Sequence, residues 1–147
     1  IIKKENPLFY LINTTENEIR QLMKKLPPEL GQPLLGAVLN RDLTGEGLKV
    51  LTASSFDEKE FGRLLLAEQD ILRDLLGIST PRIDHLLKTA LEQGALGGKI
   101  NGSGGGGCLF VYAPDEPEKV ARAIQESGGK PYIITVDSGL TSEKEFY

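Results

Sequence analysis

Eight glycines crowd into the fourteen residues from Gly94 to Gly107, in the string GALGGKINGSGGGG. Glycine at this density costs backbone entropy, so a folded chain keeps it where positive φ or close backbone approach is required. Successive N–H groups of such a loop can point into one concavity and hold an anion, typically a phosphate. Two familiar phosphate loops do not fit. Gly102, Gly104 and Gly107 satisfy Gly-x-Gly-x-x-Gly by count, but that fingerprint leads from strand into helix. Here the run leads into an apolar, strand-like segment at Cys108. A Walker A loop fails because Ile100 follows Lys99 and Gln93 holds the first-glycine position. A flexible linker would separate independent units, yet the segments on either side are close enough to pair. A purely structural turn or bulge stays open beside phosphate binding.

Few other side chains could do chemistry. Cys108 and His85 are the one cysteine and the one histidine, so neither a disulfide nor a Cys/His metal cluster can form, and no metal ligands are expected. Cys108 opens a strand and is expected to pack as a small apolar group. Lys99 is within reach of a phosphate, but a strand lysine beside a loop is commonly solvated. His85, between Asp84 and Leu86, is expected in a structural or surface role. Asp74 and Asp84 pair naturally with Arg73 and Arg82. Thr14 is placed at a strand end, where site residues gather, or serves as a helix cap.

The elements that must position these residues follow from periodicity. Pro7 to Asn13 is apolar and strand-prone. Thr14 or Thr15 then caps a helix with Ile19, Leu22, Met23 and Leu26 inward, stopped by Pro27-Pro28. A second helix lies within Leu34–Leu51, its limits blurred by Gly36, Gly45 and Gly47. Ser55 with Glu58 forms a capping box for a long helix that buries Phe61, Leu64, Leu65, Leu72, Leu75 and Leu76 and ends at Gly77. Thr80-Pro81 starts another, with Ile83, Leu86, Leu87, Ala90 and Leu91 inward. Asp115 and Glu118 cap a last helix through Val120, Ala123 and Ile124, closing at Gly128-Gly129. Cys108–Tyr112 and Tyr132–Val136 read as strands, and Gly98–Asn101 as the hairpin partner of the first.

This order predicts an α+β fold: a ferredoxin-like split βαβ with a four-stranded antiparallel sheet and several helices packed on it. A single domain over residues 1–140 and a polar tail over 141–147 are expected. At 147 residues, 39% hydrophobic and 26% charged, the chain is globular in composition. It can bury roughly two-thirds of its unfolded surface. Seventeen basic against 21 acidic residues give a net charge of −4, which offers no broad attraction to nucleic acid or anionic lipid. No apolar run reaches the roughly 20 residues of a membrane span. A reducing, cytoplasmic setting is expected. The chain opens on Ile1 and carries its one methionine at Met23, which predicts that it belongs to a longer polypeptide.

Three segments together resemble the C-terminal half of GHMP kinases, the galactokinase, homoserine kinase and mevalonate kinase relatives. They are LRDLLGIST (Leu72–Thr80), IDHL (Ile83–Leu86) and Gly94 through Cys108, the last being similar to the family's third motif. The closing run from Ala123 through Ile133 points, within that family, to the archaeal and bacterial mevalonate kinases. The resemblance implies transfer of the ATP γ-phosphate to the alcohol of a small metabolite, with Mg2+. It implies a partner N-terminal lobe carrying the catalytic residues, none of them in this chain, so that the isolated chain is inactive. It places Gly102, Ser103, Gly104, Gly105 and Gly106 beside the nucleotide phosphates, and Thr14 and Asn101 on the substrate side. Asn101 stands where the family usually has Thr. Thr14-Thr15-Glu16-Asn17-Glu18 replaces a Thr-Gly and Arg-Ser/Thr run, and Ala67, Gln69 and Asp70 replace an Asn and a His. The alternatives are a galactokinase-type sugar kinase and a non-catalytic ferredoxin-like regulatory module, which would not need the glycine loop. An apolar face left open without the lobe would favour a homodimer.

Overall fold

The computed structural model describes residues 10–137 and 139. Its elements are helices α1 (Glu16–Met23), α2 (Pro28–Thr52), α3 (Glu58–Asp74) and α4 (Pro81–Glu92), strands β1 (Gly97–Asn101) and β2 (Cys108–Tyr112), and helix α5 (Pro117–Glu126). The fold is α+β, and the helices outweigh the sheet.

Thr15, not Thr14, caps α1 in a reciprocal box: its side chain accepts from the Glu18 N–H while the Glu18 carboxylate accepts from the Thr15 N–H at 2.7 Å. Ile19 is fully buried against Leu35 and Val38 of α2. α1 ends at Met23 with Lys24 as its C-cap, short of the expected stop at Pro27-Pro28. The proline pair instead starts α2, where Pro28 lacks only an N–H that the first turn leaves unpaired anyway. The glycines of α2 do not break it. Gly36 lies against Leu75 and Leu76, where an added Cβ would come within 2.9 Å of Leu76 Cδ2.

Two expected caps move. Asp57 rather than Ser55 caps α3, accepting from the Glu60 N–H at 2.9 Å, because Asp57 and Glu60 repeat the same spacing two residues later. At α5, Glu116 takes the cap position without a side-chain bond and Pro117 fixes the first turn, so the Asp115–Glu118 pair does not cap. Thr80 caps α4 as the sequence suggests, accepting from the Ile83 N–H.

β1 and β2 form an antiparallel hairpin with Gly97 opposite Tyr112 and Asn101 opposite Cys108. α3 packs on β1, α4 touches both strands and α5 packs on α4. Among the described residues the sheet has these two strands, not the four expected. Pro7, Leu8 and Phe9 lie outside the described residues, as does the 141–147 tail. Tyr10–Asn13 form a turn: the Tyr10 carbonyl accepts from the Asn13 and Thr14 N–H groups and from the Thr14 hydroxyl. The Arg41 guanidinium donates to the Leu11 and Thr14 carbonyls, so local donors occupy oxygens that a ladder would use. Tyr132–Val136 has strand propensity but no ladder partner among the described residues, and Ile134 and Val136 are almost wholly exposed. Propensity alone does not hold a strand.

Candidate functional site

The six-residue loop of the hairpin, Gly102–Gly107, is the centre of the glycine-rich string. Five of its residues adopt positive φ, from +73° at Gly105 to +123° at Gly106. Side-chain-bearing residues reach that region only with strain, which accounts for the glycine run.

Gly105 donates its N–H to the Ile78 carbonyl at 2.8 Å, fastening the loop to the link between α3 and α4. Gly104 presses on the same residue; a Cβ there would lie 2.6 Å from Ile78 Cβ. The N–H groups of Ser103, Gly104 and Gly106 have no acceptor among the described residues. The loop therefore leaves several N–H donors without an internal partner on a backbone clamped at its middle, a donor set suited to an anion.

The loop's surroundings are built from α3, β1 and α4. Ile78 packs with the buried cluster of Leu72, Ile83 and Ile100. Gln69, 1% exposed, accepts from the Ile100 N–H at 2.9 Å and donates to Ser79 Oγ at 3.1 Å. Ser79 in turn donates to Asp84 Oδ1 at 2.7 Å. Asp84 thus serves Ser79 rather than the expected Arg82, whose guanidinium lies against Gly128. The Arg73–Asp74 pair does form, at 2.8 Å, and holds the Asp74 carboxyl below the usual carboxylate range.

Lys99 is largely covered and engaged away from the loop. It pairs with Glu68 at 3.1 Å, donates to the Ile100 carbonyl and lies over the Phe110 ring. Asn101 is exposed at the end of β1, on the same hairpin as the loop glycines and Ser103. Thr14 is carried by the separate α1–α2 pair and is 8% exposed, its hydroxyl bound to the Tyr10 carbonyl. Cys108 opens β2 but is exposed, contrary to the packing expected, because its position at the loop's foot leaves it uncovered. His85 is on the exposed side of α4.

A groove of about 520 Å3 opens between β2, α5 and the segment around Lys130–Ile134, and Asn101 and Gly107 at the loop's base line it too. Among the described residues no group of three or more His, Cys, Asp or Glu could hold a metal ion. No helix among them is long and apolar enough to cross a membrane. Backbone N–H donors of this kind are chemically suited to an anion such as a phosphate group rather than to a cation.

A family model described as GHMP kinases C terminal matches residues 50–130. The mevalonate kinase of Thermococcus gammatolerans is 37% identical over 122 residues, which cover 80% of this chain and 35% of that protein. The mevalonate kinase of Pyrococcus furiosus is 38% identical over 120 residues, with the same coverage of 80% and 35%. The galactokinase of Saccharomyces cerevisiae is 35% identical over 88 residues, covering 54% of this chain and 17% of that one. Among solved structures, Lactococcus lactis galactokinase complexed with galactose superposes with a TM-score of 0.72 at 25% identity, covering 88% of this chain and 35% of that one. The chain thus spans about a third of the length of the mevalonate kinases it matches.

Proposed function

Because the chain belongs to the GHMP kinases, matching their C-terminal domain, we propose that it works as that part of an ATP-dependent kinase acting on a small alcohol, mevalonate being the acceptor we assign. ATP supplies the transferred phosphoryl group when bound. Phosphoryl transfer rests on positioning and on stabilising charge at the phosphate oxygens. The open N–H groups of Ser103, Gly104 and Gly106 supply such stabilisation from a fixed backbone, with no reorganisation at the moment of reaction. Gly102 and Gly105 shape the same loop. Asn101, exposed beside it, is our candidate on the substrate side. Thr14 is the second candidate there, its hydroxyl bound to the Tyr10 carbonyl with its acceptor lone pairs still available.

The observation that carries this reading is a glycine loop held in positive φ and clamped through Gly105 to Ile78, in a chain of this family. In the same reading an N-terminal lobe supplies the general base and the Mg2+ ligands, and the chain alone is inactive. Tyr132–Val136 pairs as a further strand in the assembled, cytoplasmic enzyme. Leu48 and Leu51, both more than half exposed on α2, give an apolar face for homodimer formation when that lobe is absent.

A galactokinase-type activity is the second reading, favoured by the superposition on the Lactococcus lactis enzyme. One experiment separates the two: read the coding DNA on both sides of the chain and assay the whole gene product for ADP release with ATP, Mg2+ and either mevalonate or galactose. Turnover with mevalonate supports our reading, and turnover with galactose alone replaces the acceptor. No ADP release with either sinks both.

A further inference from the structure

Gln69 is the largest polar side chain in the core, fully buried on α3. A buried amide must find partners, and its partners here run in one direction only. The Ile100 N–H can only donate, so it fixes Gln69 Oε1 as the acceptor and turns Nε2 toward Ser79. The Asp84 carboxylate can only accept when ionised, so the Ser79 hydroxyl must point at it. Every group is thereby held in a single orientation.

The relay ends at both supports of the glycine loop. Ile100 is the penultimate residue of β1, one position before the stem residue Asn101. Ser79 follows Ile78, whose carbonyl receives the Gly105 N–H and whose side chain meets Gly104. Stem and clamp belong to different elements, β1 and the α3–α4 link, and Gln69 joins them from a third.

We infer that Gln69, Ser79 and Asp84 are positioning residues for the phosphate loop, fixing the separation between its stem and its clamp and so the aim of its free N–H groups. The role in phosphoryl transfer rests on the kinase reading above. The effect on the loop does not. Ser79 is the joint, since it is both the acceptor of one bond and the donor of the next.

The test uses Ser79→Ala, with Ser79→Thr as the rescue that returns a hydroxyl, in the 147-residue chain. Amide hydrogen exchange of Gly105 is compared with that of Leu65 and Ile71 within α3. We expect Gly105 to exchange at least about tenfold faster in Ser79→Ala, a loss of local opening free energy rather than of the global fold, with the α3 amides unchanged and Ser79→Thr restored. Equal acceleration at all sites, or none at Gly105, would overturn the inference. Should Ser79→Ala fail to fold, Asp84→Ala removes the acceptor of the Ser79 hydroxyl, and the same comparison decides on it.

In the whole kinase, Ser79→Ala should lower kcat about tenfold while KM for the alcohol stays put, because the alcohol is not what the loop holds. A fall in neither parameter overturns the catalytic part of the role. Fast Gly105 exchange in the variant, with no ATP-dependent transfer by the unmodified whole product, would leave the relay standing and remove the kinase reading.

Discussion

Gly62 of α3 and Gly97 of β1 lie backbone against backbone. A Cβ on Gly97 would come within 2.7 Å of Gly62 Cα, and one on Gly62 within 2.7 Å of the Leu96 carbonyl carbon. The helix that carries Gln69 therefore meets the strand that carries the loop at a distance only glycine allows. Gly62→Ala and Gly97→Ala should each destabilise the chain by about 1–3 kcal/mol through overpacking against rigid backbone. The double variant should cost less than the sum, since one displacement of α3 relieves both overlaps. Urea midpoints at unchanged m-value measure it, and a wild-type midpoint for either single variant would contradict the contact.

Cys108 gives an independent check on the loop's foot. It is exposed, and as the one cysteine of the chain it reports without interference. A disulfide reagent should label the native protein at nearly the rate seen in denaturant. Protection by more than about tenfold would mean a covered thiol, since access as well as thiolate character sets such rates.

How much of this was readable beforehand depended on whether the partner lay nearby in sequence. The inward stripes of α3 and α4 follow from spacings of three and four, and Leu64, Leu65, Leu72, Ile83, Leu86 and Leu87 are buried as expected. The loop's need for glycine was legible too, because positive φ is a local property. The Ser55 and Asp57 caps compete within three residues on equal spacing, and only the geometry of the Glu60 N–H separates them. α2 has no one-sided stripe, so its 25 residues gave no periodic limits. Tyr132–Val136 shows strand composition, but pairing is decided by what lies alongside. The Gln69 relay spans α3, a link and β1, and no motif connects residues 69, 79, 84 and 100. One signal was present: Gln69 follows Leu65 by four and precedes Leu72 by three, which places an amide on the buried face.

Acid should loosen the start of α1. The Thr15 N–H, and then the Thr15 hydroxyl, hold the Glu18 carboxyl below its ordinary value of 4.5. A carboxyl lowered in the folded state adds stability that is present above the unfolded value and lost as pH falls through the folded one. The Glu18 carboxyl followed by NMR should thus titrate below 4.5, with the α1 amide shifts moving in step. In Glu18→Gln the neutral amide still accepts from Thr15 but does not titrate, so that acid transition should vanish from α1. A midpoint at the ordinary value would remove the capping box as its cause.

The loop glycines should not be equivalent. Gly105, at φ +73°, has nothing within reach of a Cβ and lies near the left-handed region that Asn tolerates. Gly105→Asn should therefore cost only about 1 kcal/mol. Gly106, at φ +123°, is equally open but lies outside that region, so Gly106→Ala should cost about 1–3 kcal/mol from backbone strain alone. Gly104 combines φ +77° with direct overlap on Ile78, and Gly104→Ala should be the most damaging of the three because it also pushes against the clamp. Thermal unfolding of the three variants gives the order. In the whole kinase the loss of kcat should follow that order, since each variant displaces the same N–H donors by a different amount. A Gly104→Ala variant milder than Gly105→Asn in both assays would mean that the loop is not seated on Ile78, and the proposed aim of its N–H donors would fall with it.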